Sequence, residues 1–320
     1  MKYILILLFS LFSLNVYSFN TGIINFDVKY NGTNIRCALW YPTEAAPKTM
    51  PKAVYEINAA ENGQISQDIR GVVVLAHGFG GNMYGQHDTA EYLARNGYAV
   101  LTPTYPDTEG LKSADPKNMP VFMRPAVTVQ ALNDLIQKNL FPRKAFDRLF
   151  MAGFSMGGYT TLMNIGAVPM FGRLDKICSS GEPTPLLCRA ANKKKIKALR
   201  DKYPLHKINM LKGAVMMAPA LGVLFDRESA KDVSIPLMIY SASEDYTVYG
   251  EYDSAYVASL FPQAVTKVIE GADHPVFIAP CSEYGRKKFP IICLDDEGID
   301  RVKIHKEMNE EILKFFDSIQ

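Results

Sequence analysis

Residues 147–159 read Asp-Arg-Leu-Phe-Met-Ala-Gly-Phe-Ser-Met-Gly-Gly-Tyr, and this stretch decides the fold. An apolar run at 149–152 leads into Gly-Phe-Ser-Met-Gly, which matches the G-x-S-x-G pattern of a nucleophile elbow. A serine on a sharp turn between a strand and a helix has strained backbone angles, so its neighbours must lack bulk. Glycines at 153 and 157 meet that need. Residues 159–165 predict the helix that the pattern requires, and Ser155 is therefore the candidate nucleophile.

Strands and helices alternate on both sides of this turn. Upstream, residues 71–77 form a continuous apolar run that is typical of a buried parallel strand, and residues 88–96 have helical periodicity. The same alternation predicts further strands at 98–103, 213–218, 235–241 and 264–270, and further helices at 127–138, 225–231, 252–261 and 300–319. Strands separated by helices indicate an α/β fold with a mostly parallel sheet and helices on both faces.

Two segments depart from the alternation. Asn31-Gly32 lies between strand-like runs at 23–30 and 34–41, which predicts an antiparallel hairpin, and a long polar connection is expected to follow at 42–68. A polar insertion at about 169–210 is expected to cover the functional crevice as a cap.

The first 18 residues have the pattern of a secretory signal peptide. They combine Lys2, a largely apolar run at 3–14 and small residues at 16 and 18. Because the apolar run is shorter than the roughly 20 residues that span a bilayer, export followed by cleavage is favoured over a membrane anchor. We therefore expect a secreted or periplasmic protein with a single α/β domain at 19–320.

Composition excludes several other classes of function. The apolar share of 48% and the charged share of 21% are ordinary for a globular chain. The formal net charge of +2 gives no overall field that would attract nucleic acid, and no obligate protein partner is evident. The run of lysines at 193–197 lies on the insertion; a solvated face is the usual interpretation, and transient contact with anionic lipid headgroups is the alternative.

Five cysteines would meet oxidising conditions after export. Pairing of neighbours, Cys178 with Cys188 and Cys281 with Cys293, is preferred among the connectivities that four cysteines allow. Cys37 is then left over, and its mainly apolar surroundings favour a buried free thiol. Neither pair has the C-x-x-C spacing of a zinc site, and no metal or other cofactor is expected.

The residues that follow the strands are the ones expected at the crevice, because function lies off the carboxyl ends of a parallel sheet. After the first parallel strand comes His-Gly-Phe-Gly-Gly-Asn at 77–82, a loop whose N–H groups can face a developing negative charge. We predict an oxyanion hole made by the N–H groups of Phe79 and Met156. An anion-binding or phosphate-binding nest is the alternative, but the loop lacks G-K-[ST].

Two later strand ends supply an acid and a base. Asp245 follows the strand at 235–241, and His274 follows the strand at 264–270. In the resulting serine, acid, histidine order, His274 would take the proton of Ser155 and Asp245 would hold the imidazole in the required tautomer.

Other residues compete for these roles. Glu244 and Asp273 are rivals for the acid, although Asp273 adjoins His274 and cannot easily reach the far ring nitrogen. Asp107 is interpreted as a structural or pocket residue. His77 is expected to order the glycine-rich loop. The remaining histidines are expected to lie on the surface or on helices: His87, His206 and His305.

Taken together, these residues resemble the α/β-hydrolase superfamily, and the likeness spans about residue 24 to 320. Within it, the chain is similar to a secreted branch that includes platelet-activating-factor acetylhydrolase and the so-called predicted dienelactone hydrolases. The branch likeness rests on Leu-Trp-Tyr-Pro at 39–42 and on the paired cysteines after His274. True dienelactone hydrolases carry a cysteine at the position of Ser155, and this departure favours an ordinary carboxylic ester over dienelactone.

The resemblance implies a metal-free esterase that acts on short or oxidised acyl chains of a lipid or small ester. We expect an exported serine hydrolase that cleaves carboxylic esters through an acyl-enzyme on Ser155. A phospholipase or lipase acting on longer chains is one alternative, and a peptidase or a polyester depolymerase is another. A hydrolase-like binding protein without turnover is the alternative from a different class.

Overall fold

The computed structural model describes residues 19–106, 123–173 and 205–320. Within these ranges the strands form one sheet in the order β10-β9-β8-β7-β5-β6-β2-β1-β4-β3. Their bounds are β1 Asn20–Tyr30, β2 Thr33–Thr43, β3 Lys48–Lys52, β4 Tyr55–Glu61, β5 Gly71–Ala76, β6 Tyr98–Pro103, β7 Leu149–Phe154, β8 Leu211–Met217, β9 Leu237–Ala242 and β10 Val265–Ile269. The helices are α1 His87–Arg95, α2 Arg124–Lys138, α3 Met156–Ile165, α4 Ser254–Leu260, α5 Glu283–Lys288, α6 Pro290–Cys293 and α7 Arg301–Ser318.

The strands from β5 to β10 are parallel, which confirms the predicted sheet. Chain order reverses around β5: the chain passes from β5 to β6 on one side and then returns to β7 on the other. Such a reversal opens a crevice at the carboxyl ends of the two central strands. The loop after β5 and the serine after β7 therefore meet at this place.

Each face of the sheet carries its own hydrophobic core. In β5, Val72 and Val74 pack on the side of α2 and α3, whereas Val73 and Leu75 pack on the side of α1 and α7. Because successive side chains of a strand point to opposite faces, a continuous apolar run is what a sheet covered on both sides requires. This layering gives β5 and β7 a rigid setting on both faces.

The N-terminal strands confirm one prediction and correct another. β1 and β2 pair antiparallel around Asn31-Gly32, with Tyr30 opposite Thr33, as the turn signal indicated. The expected long polar connection is wrong, because it contains β3 and β4; β3 pairs with β4, and β4 runs parallel to β1. In β4, Tyr55 and Ile57 are buried while their polar neighbours are exposed, so a two-residue alternation lies within a polar composition.

The helix predicted near 225–231 is not formed. A short 3₁₀ turn covers Gly222–Leu224, and residues 227–232 form turns. The side chains of Asp226 and Ser229 bond reciprocally to each other's backbone N–H, at 2.8 Å each. These side-chain bonds replace the helical bonds that periodicity alone predicted.

Several expectations fall outside the described ranges. They are the signal peptide, Asp107, the Cys178–Cys188 pair, most of the insertion and its lysine run, and they stay predictions together with the domain bounds. Among the described residues, no helix combines the length and the apolar character that crossing a membrane requires.

A disulfide joins Cys281 to Cys293, as predicted, and closes the segment that holds α5 and α6. The two cysteines belong, with Tyr55 and Ala279, to a small hydrophobic cluster apart from the two main cores. Cys37 is a buried free thiol on β2, again as predicted. Burial, assisted by the charges of Asp134 and Asp27, raises the pKa of the Cys37 thiol, which keeps it protonated and unreactive.

Replacing both Cys281 and Cys293 by serine should lower the free energy of unfolding by about 2–3 kcal/mol, because the bond restricts a short loop in the unfolded chain. Thermal unfolding in oxidising buffer measures this loss. With reductant present, the difference between wild type and variant should shrink to the cost of the two substitutions alone. Equal melting temperatures in oxidising buffer would contradict the expected contribution of the bond.

Candidate active site

Ser155 occupies a strained turn between β7 and α3. Its φ of 55° and ψ of −116° lie where side-chain-bearing residues are rarely found. Neighbouring backbone holds it there: its N–H donates to the carbonyl of Met217 at 2.9 Å, and its own carbonyl accepts from the N–H of Gly158 at 2.8 Å and of Ala220 at 3.0 Å. The turn therefore presents Ser155 Oγ at the head of a helix, with its conformation fixed from three sides.

The two glycines of the motif are required by close backbone approach. A Cβ on Gly157 would overlap the carbonyl oxygen of Ala76, at the end of β5. A Cβ on Gly153 would overlap the carbonyl of Gly157 and the hydroxyl of Thr161. Small residues at these positions let α3 begin directly against the strand ends.

Gly157→Ala should therefore lower the free energy of unfolding by about 3 kcal/mol or more, since the obstructing atoms belong to backbone that cannot move aside. Chemical denaturation measures the loss. Gly172→Ala is the matched control, because a Cβ there meets no atom of the described residues within 4 Å. Similar stability losses in the two variants would contradict this account of the turn.

His274 approaches the serine from a short turn after β10. It begins a 3₁₀ turn, His274–Phe277, and its N–H donates to Asp273 Oδ1 at 2.6 Å. Its Nε2 lies 2.9 Å from Ser155 Oγ, and its ring packs against Phe154 with centroids 4.8 Å apart. The imidazole is therefore placed to accept the hydroxyl proton of Ser155.

Asp245 lies on the far side of the imidazole. Its Oδ2 is 2.7 Å from His274 Nδ1, and its Oδ1 accepts from the N–H groups of Thr247 at 3.0 Å and of Val248 at 2.7 Å. The side chain is 1% exposed. With both oxygens occupied, the carboxylate fixes the proton on Nδ1 and leaves Nε2 free to accept.

The rival acids are placed elsewhere. The exposed carboxylate of Glu244 accepts from the hydroxyl of Tyr246 at 2.7 Å, and Asp273 Oδ1 accepts from the N–H of Tyr246 at 3.1 Å. Neither makes a hydrogen bond to the imidazole ring in the described structure. The structure thus brings together Ser155, Asp245 and His274, the three side chains that the sequence singled out.

The glycine-rich loop after β5 lies beside the serine: a Cβ on Gly78 would be 3.4 Å from that of Ser155. In the described part of the chain, the N–H groups of Phe79 and Met156 make no hydrogen bond to protein. Met156 is the first residue of α3, so its N–H belongs to the unpaired donors of a helix start. Two such donors around one hydroxyl are suited to hold a negatively charged oxygen.

His77 and Arg124 hold the carbonyl of Gly78. His77 Nε2 accepts from the N–H of Tyr105 at 3.0 Å, which puts the ring proton on Nδ1, 2.6 Å from the Gly78 oxygen. Arg124 Nη2 donates to the same oxygen at 3.0 Å. Since the peptide is planar and trans, fixing this carbonyl also fixes the direction of the Phe79 N–H on its opposite side.

The role of His77 in ordering the loop thus matches the sequence prediction, and that of Arg124 was missed. Burial, together with the neighbouring guanidinium, holds the pKa of His77 well below its usual range, so the ring is neutral as this bonding requires. No local signal marks Arg124, because its partners come from the loop after β5 and from α3.

Asp253 was also missed. It precedes α4, is buried, and accepts from the N–H of Gly222 at 2.9 Å through Oδ1. Burial raises its pKa to about 7, and the charge of Asp245 adds to the shift while the bond from Gly222 opposes it. A carboxyl near the acid of the site therefore changes charge close to neutral pH.

Two of the other histidines lie on helices, as predicted. They are His87 and His305, and both are buried. Among the described residues, no cluster of three or more histidine, cysteine, aspartate or glutamate side chains is arranged to hold a metal ion.

Comparison with known proteins agrees with this fold. Residues 67–181 match a family described as serine aminopeptidase, S33. A ferulic acid esterase from Streptomyces cinnamoneus has 13% identity and a TM-score of 0.54, covering 96% of this chain and 91% of its own. No curated protein matches the chain in sequence.

Two further solved structures are similar to the chain at lower scores. An acylaminoacyl peptidase from Pyrococcus horikoshii has 12% identity and a TM-score of 0.49, covering 89% of this chain. The chain spans 44% of that peptidase's length. A dienelactone hydrolase from Anabaena variabilis has 13% identity and a TM-score of 0.46, covering 91% of this chain and 96% of its own.

The sheet order, the serine turn and the structural match over most of both chains show that this chain has an α/β-hydrolase fold. The matching family supports a hydrolase.

Proposed function

We propose that this protein is a serine hydrolase that cleaves carboxylic esters through an acyl-enzyme on Ser155. The observation that carries the proposal is the hydrogen-bonded series from Ser155 Oγ to His274 Nε2, at 2.9 Å, and from His274 Nδ1 to Asp245, at 2.7 Å. Two N–H groups beside the same hydroxyl, neither bonded to any described residue, support it.

In the proposed reaction, Ser155 Oγ attacks the ester carbonyl carbon while its proton passes to His274 Nε2. The carbonyl oxygen becomes negatively charged and is held by the N–H groups of Phe79 and Met156. The C–O bond to the alcohol then breaks, and the alcohol leaves with the proton from His274. Water, deprotonated by the same nitrogen, hydrolyses the acyl-enzyme and regenerates Ser155.

Serine chemistry on an ordinary ester suits this site better than dienelactone chemistry, because the nucleophile is a hydroxyl. Export is part of the proposal, and the Cys281–Cys293 disulfide is consistent with an oxidising compartment. The proposed substrate is a small or lipid ester with a short acyl chain.

A fluorophosphonate probe separates an enzyme from a hydrolase-like binding protein. It should label the folded wild-type protein on Ser155 and should not label Ser155→Ala. Ser66→Ala is the matched control, because that hydroxyl is remote from the site and bonds the N–H of Asp68; its labelling should equal that of wild type. Absence of labelling in folded wild-type protein would favour the binding alternative.

An ester panel graded by acyl length tests the substrate class. We expect turnover of p-nitrophenyl acetate and butyrate, and of phospholipids with a short second acyl chain, with a decline as the chain lengthens. Turnover that rises with length would support the lipase or phospholipase alternative instead.

A further inference from the structure

A buried polar network ties α1 and α7 to the turn that carries His274. His305, on α7, is 2% exposed. Its Nδ1 lies 2.7 Å from Asp88 Oδ2 on α1, and its Nε2 lies 2.7 Å from the carbonyl oxygen of Val276. Asn309, one turn along α7, donates to the same Asp88 oxygen at 3.1 Å.

The two contacts fix the protonation state of His305. Both ring nitrogens face oxygens that can only accept, the Asp88 carboxylate and a backbone carbonyl, so both nitrogens must carry a proton. His305 is therefore an imidazolium. Burial alone would lower the pKa of His305, but the charge of Asp88 and the two bonds raise it. Burial alone would raise the pKa of Asp88, and the His305 charge and bond outweigh it and lower that pKa.

The carbonyl that accepts from His305 belongs to the turn that carries His274, the proposed base. Val276 lies two residues after His274 in the turn His274–Phe277, and its N–H bonds the carbonyl of Asp273 at 3.0 Å. Asp273 anchors the front of this turn through the N–H of His274. His305 holds the end of the turn through the Val276 carbonyl. The backbone that sets the direction of the His274 imidazole is therefore held at both ends.

We propose that the His305–Asp88 ion pair is a positioning unit that holds His274 at hydrogen-bond distance from Ser155. The positioning role rests on the proposed function in one respect: its expected effect on turnover requires the esterase reaction. The pair touches no reacting atom; it acts on the geometry of the base through the Val276 carbonyl.

The charged surroundings of His305 define its pH dependence. Asp88 faces it from α1, and Arg301 lies one turn earlier on α7, where it bonds Asp295 and opposes the positive charge. His87 lies beside Asp88 and bonds Glu91. Because the folded-state pKa of His305 is raised, its contribution is fully present at acid pH and is lost as pH rises through that pKa.

The test compares four variants with wild type, using p-nitrophenyl butyrate. His305→Gln and Asp88→Asn should each lower kcat by about 10²-fold, the scale of a displaced reacting group, with KM nearly unchanged. The double variant is designed to restore a neutral pair. In it, the NH₂ group introduced at position 88 donates to the amide oxygen introduced at position 305, and the NH₂ group at position 305 donates to the Val276 carbonyl. Asn309 must then flip its amide, so that its oxygen accepts from position 88 and its NH₂ group donates to the Thr89 hydroxyl, which can accept as well as donate. Its kcat should return to within about tenfold of wild type, without a decline at alkaline pH that stems from His305.

Arg148→Gln is the matched control. It also loosens α7, through the carbonyls of Phe316 and Ile319, but it has no contact with the turn of His274. Its melting temperature should fall while kcat stays within about twofold of wild type, because a loss of helix anchoring alone does not move the base. A kcat loss in this control equal to that of His305→Gln would overturn the proposal.

A second readout does not depend on turnover. The downfield ¹H NMR signal of the His274 Nδ1 proton reports its bond to Asp245, and it should shift or broaden in His305→Gln but not in Arg148→Gln. If wild type hydrolyses no ester, the proposed function fails and this signal still decides the positioning role. An unchanged signal in folded His305→Gln would overturn it. If His305→Gln does not fold, the double variant decides instead. A folded double variant with the same disturbed signal and the same lowered kcat as Asp88→Asn would also overturn the proposal.

Discussion

Ser155→Ala should lower kcat for p-nitrophenyl butyrate by about 10⁶-fold, which is the scale of losing a serine nucleophile that acts with a histidine base. The reason is that no other hydroxyl in the described site lies within reach of His274 Nε2. The free energy of unfolding should change by less than about 1 kcal/mol, because the hydroxyl bonds the imidazole and no other group of the described core.

The partner of the serine provides an internal check. Combining Ser155→Ala with His274→Ala should cost little more than either change alone, because the two side chains act as one unit. Steady-state kinetics and thermal unfolding measured on the same preparations separate lost chemistry from lost folding. Retained turnover in folded Ser155→Ala would exclude the acyl-enzyme on this residue.

Asp245→Asn should lower kcat by about 10⁴-fold at neutral pH, since the imidazole is then held in the wrong tautomer. The oxygen of the new side chain should stay on the N–H groups of Thr247 and Val248, which only donate. Its NH₂ group then faces His274 Nδ1, so the ring proton moves to Nε2 and that nitrogen no longer accepts from Ser155.

Glu244→Gln is the control for this prediction. Its carboxylate is exposed and bonds the hydroxyl of Tyr246, so kcat should stay within about twofold of wild type. The ratio of kcat between Asp245→Asn and Glu244→Gln identifies the acid directly. If Glu244→Gln caused the larger loss, the assignment of the acid to Asp245 would be wrong.

The core of the fold and the candidate site could be predicted because local patterns and chain order carry them. An apolar strand, a serine between glycines and a following helix form one contiguous stretch at 147–165. Asp245 and His274 each follow a strand directly, and parallel strand ends meet at one edge of the sheet. Sequence position therefore implied spatial position.

The features that were missed depend on partners far along the chain. β4 reads as polar, and its strand character comes from pairing with β1 and β3. Arg124 bonds the carbonyl of Gly78, which lies 46 residues earlier in the chain. His305 bonds Asp88, which lies 217 residues earlier. A single sequence gives no signal for contacts of this kind, because each needs the finished tertiary structure to bring the groups together.

The closure of one face of the sheet by α7 has a consequence for the order of folding. Thr89, on α1, donates to Asn309 of α7 at 2.7 Å across 220 residues, and Phe316 packs on Phe150 with centroids 4.6 Å apart. That core is incomplete until residues 301–318 have been synthesised, and contacts of such long sequence separation form slowly. A nascent chain would therefore lack this closed core until residues 301–318 are available to cover the sheet, so the last step of folding should be the docking of α7.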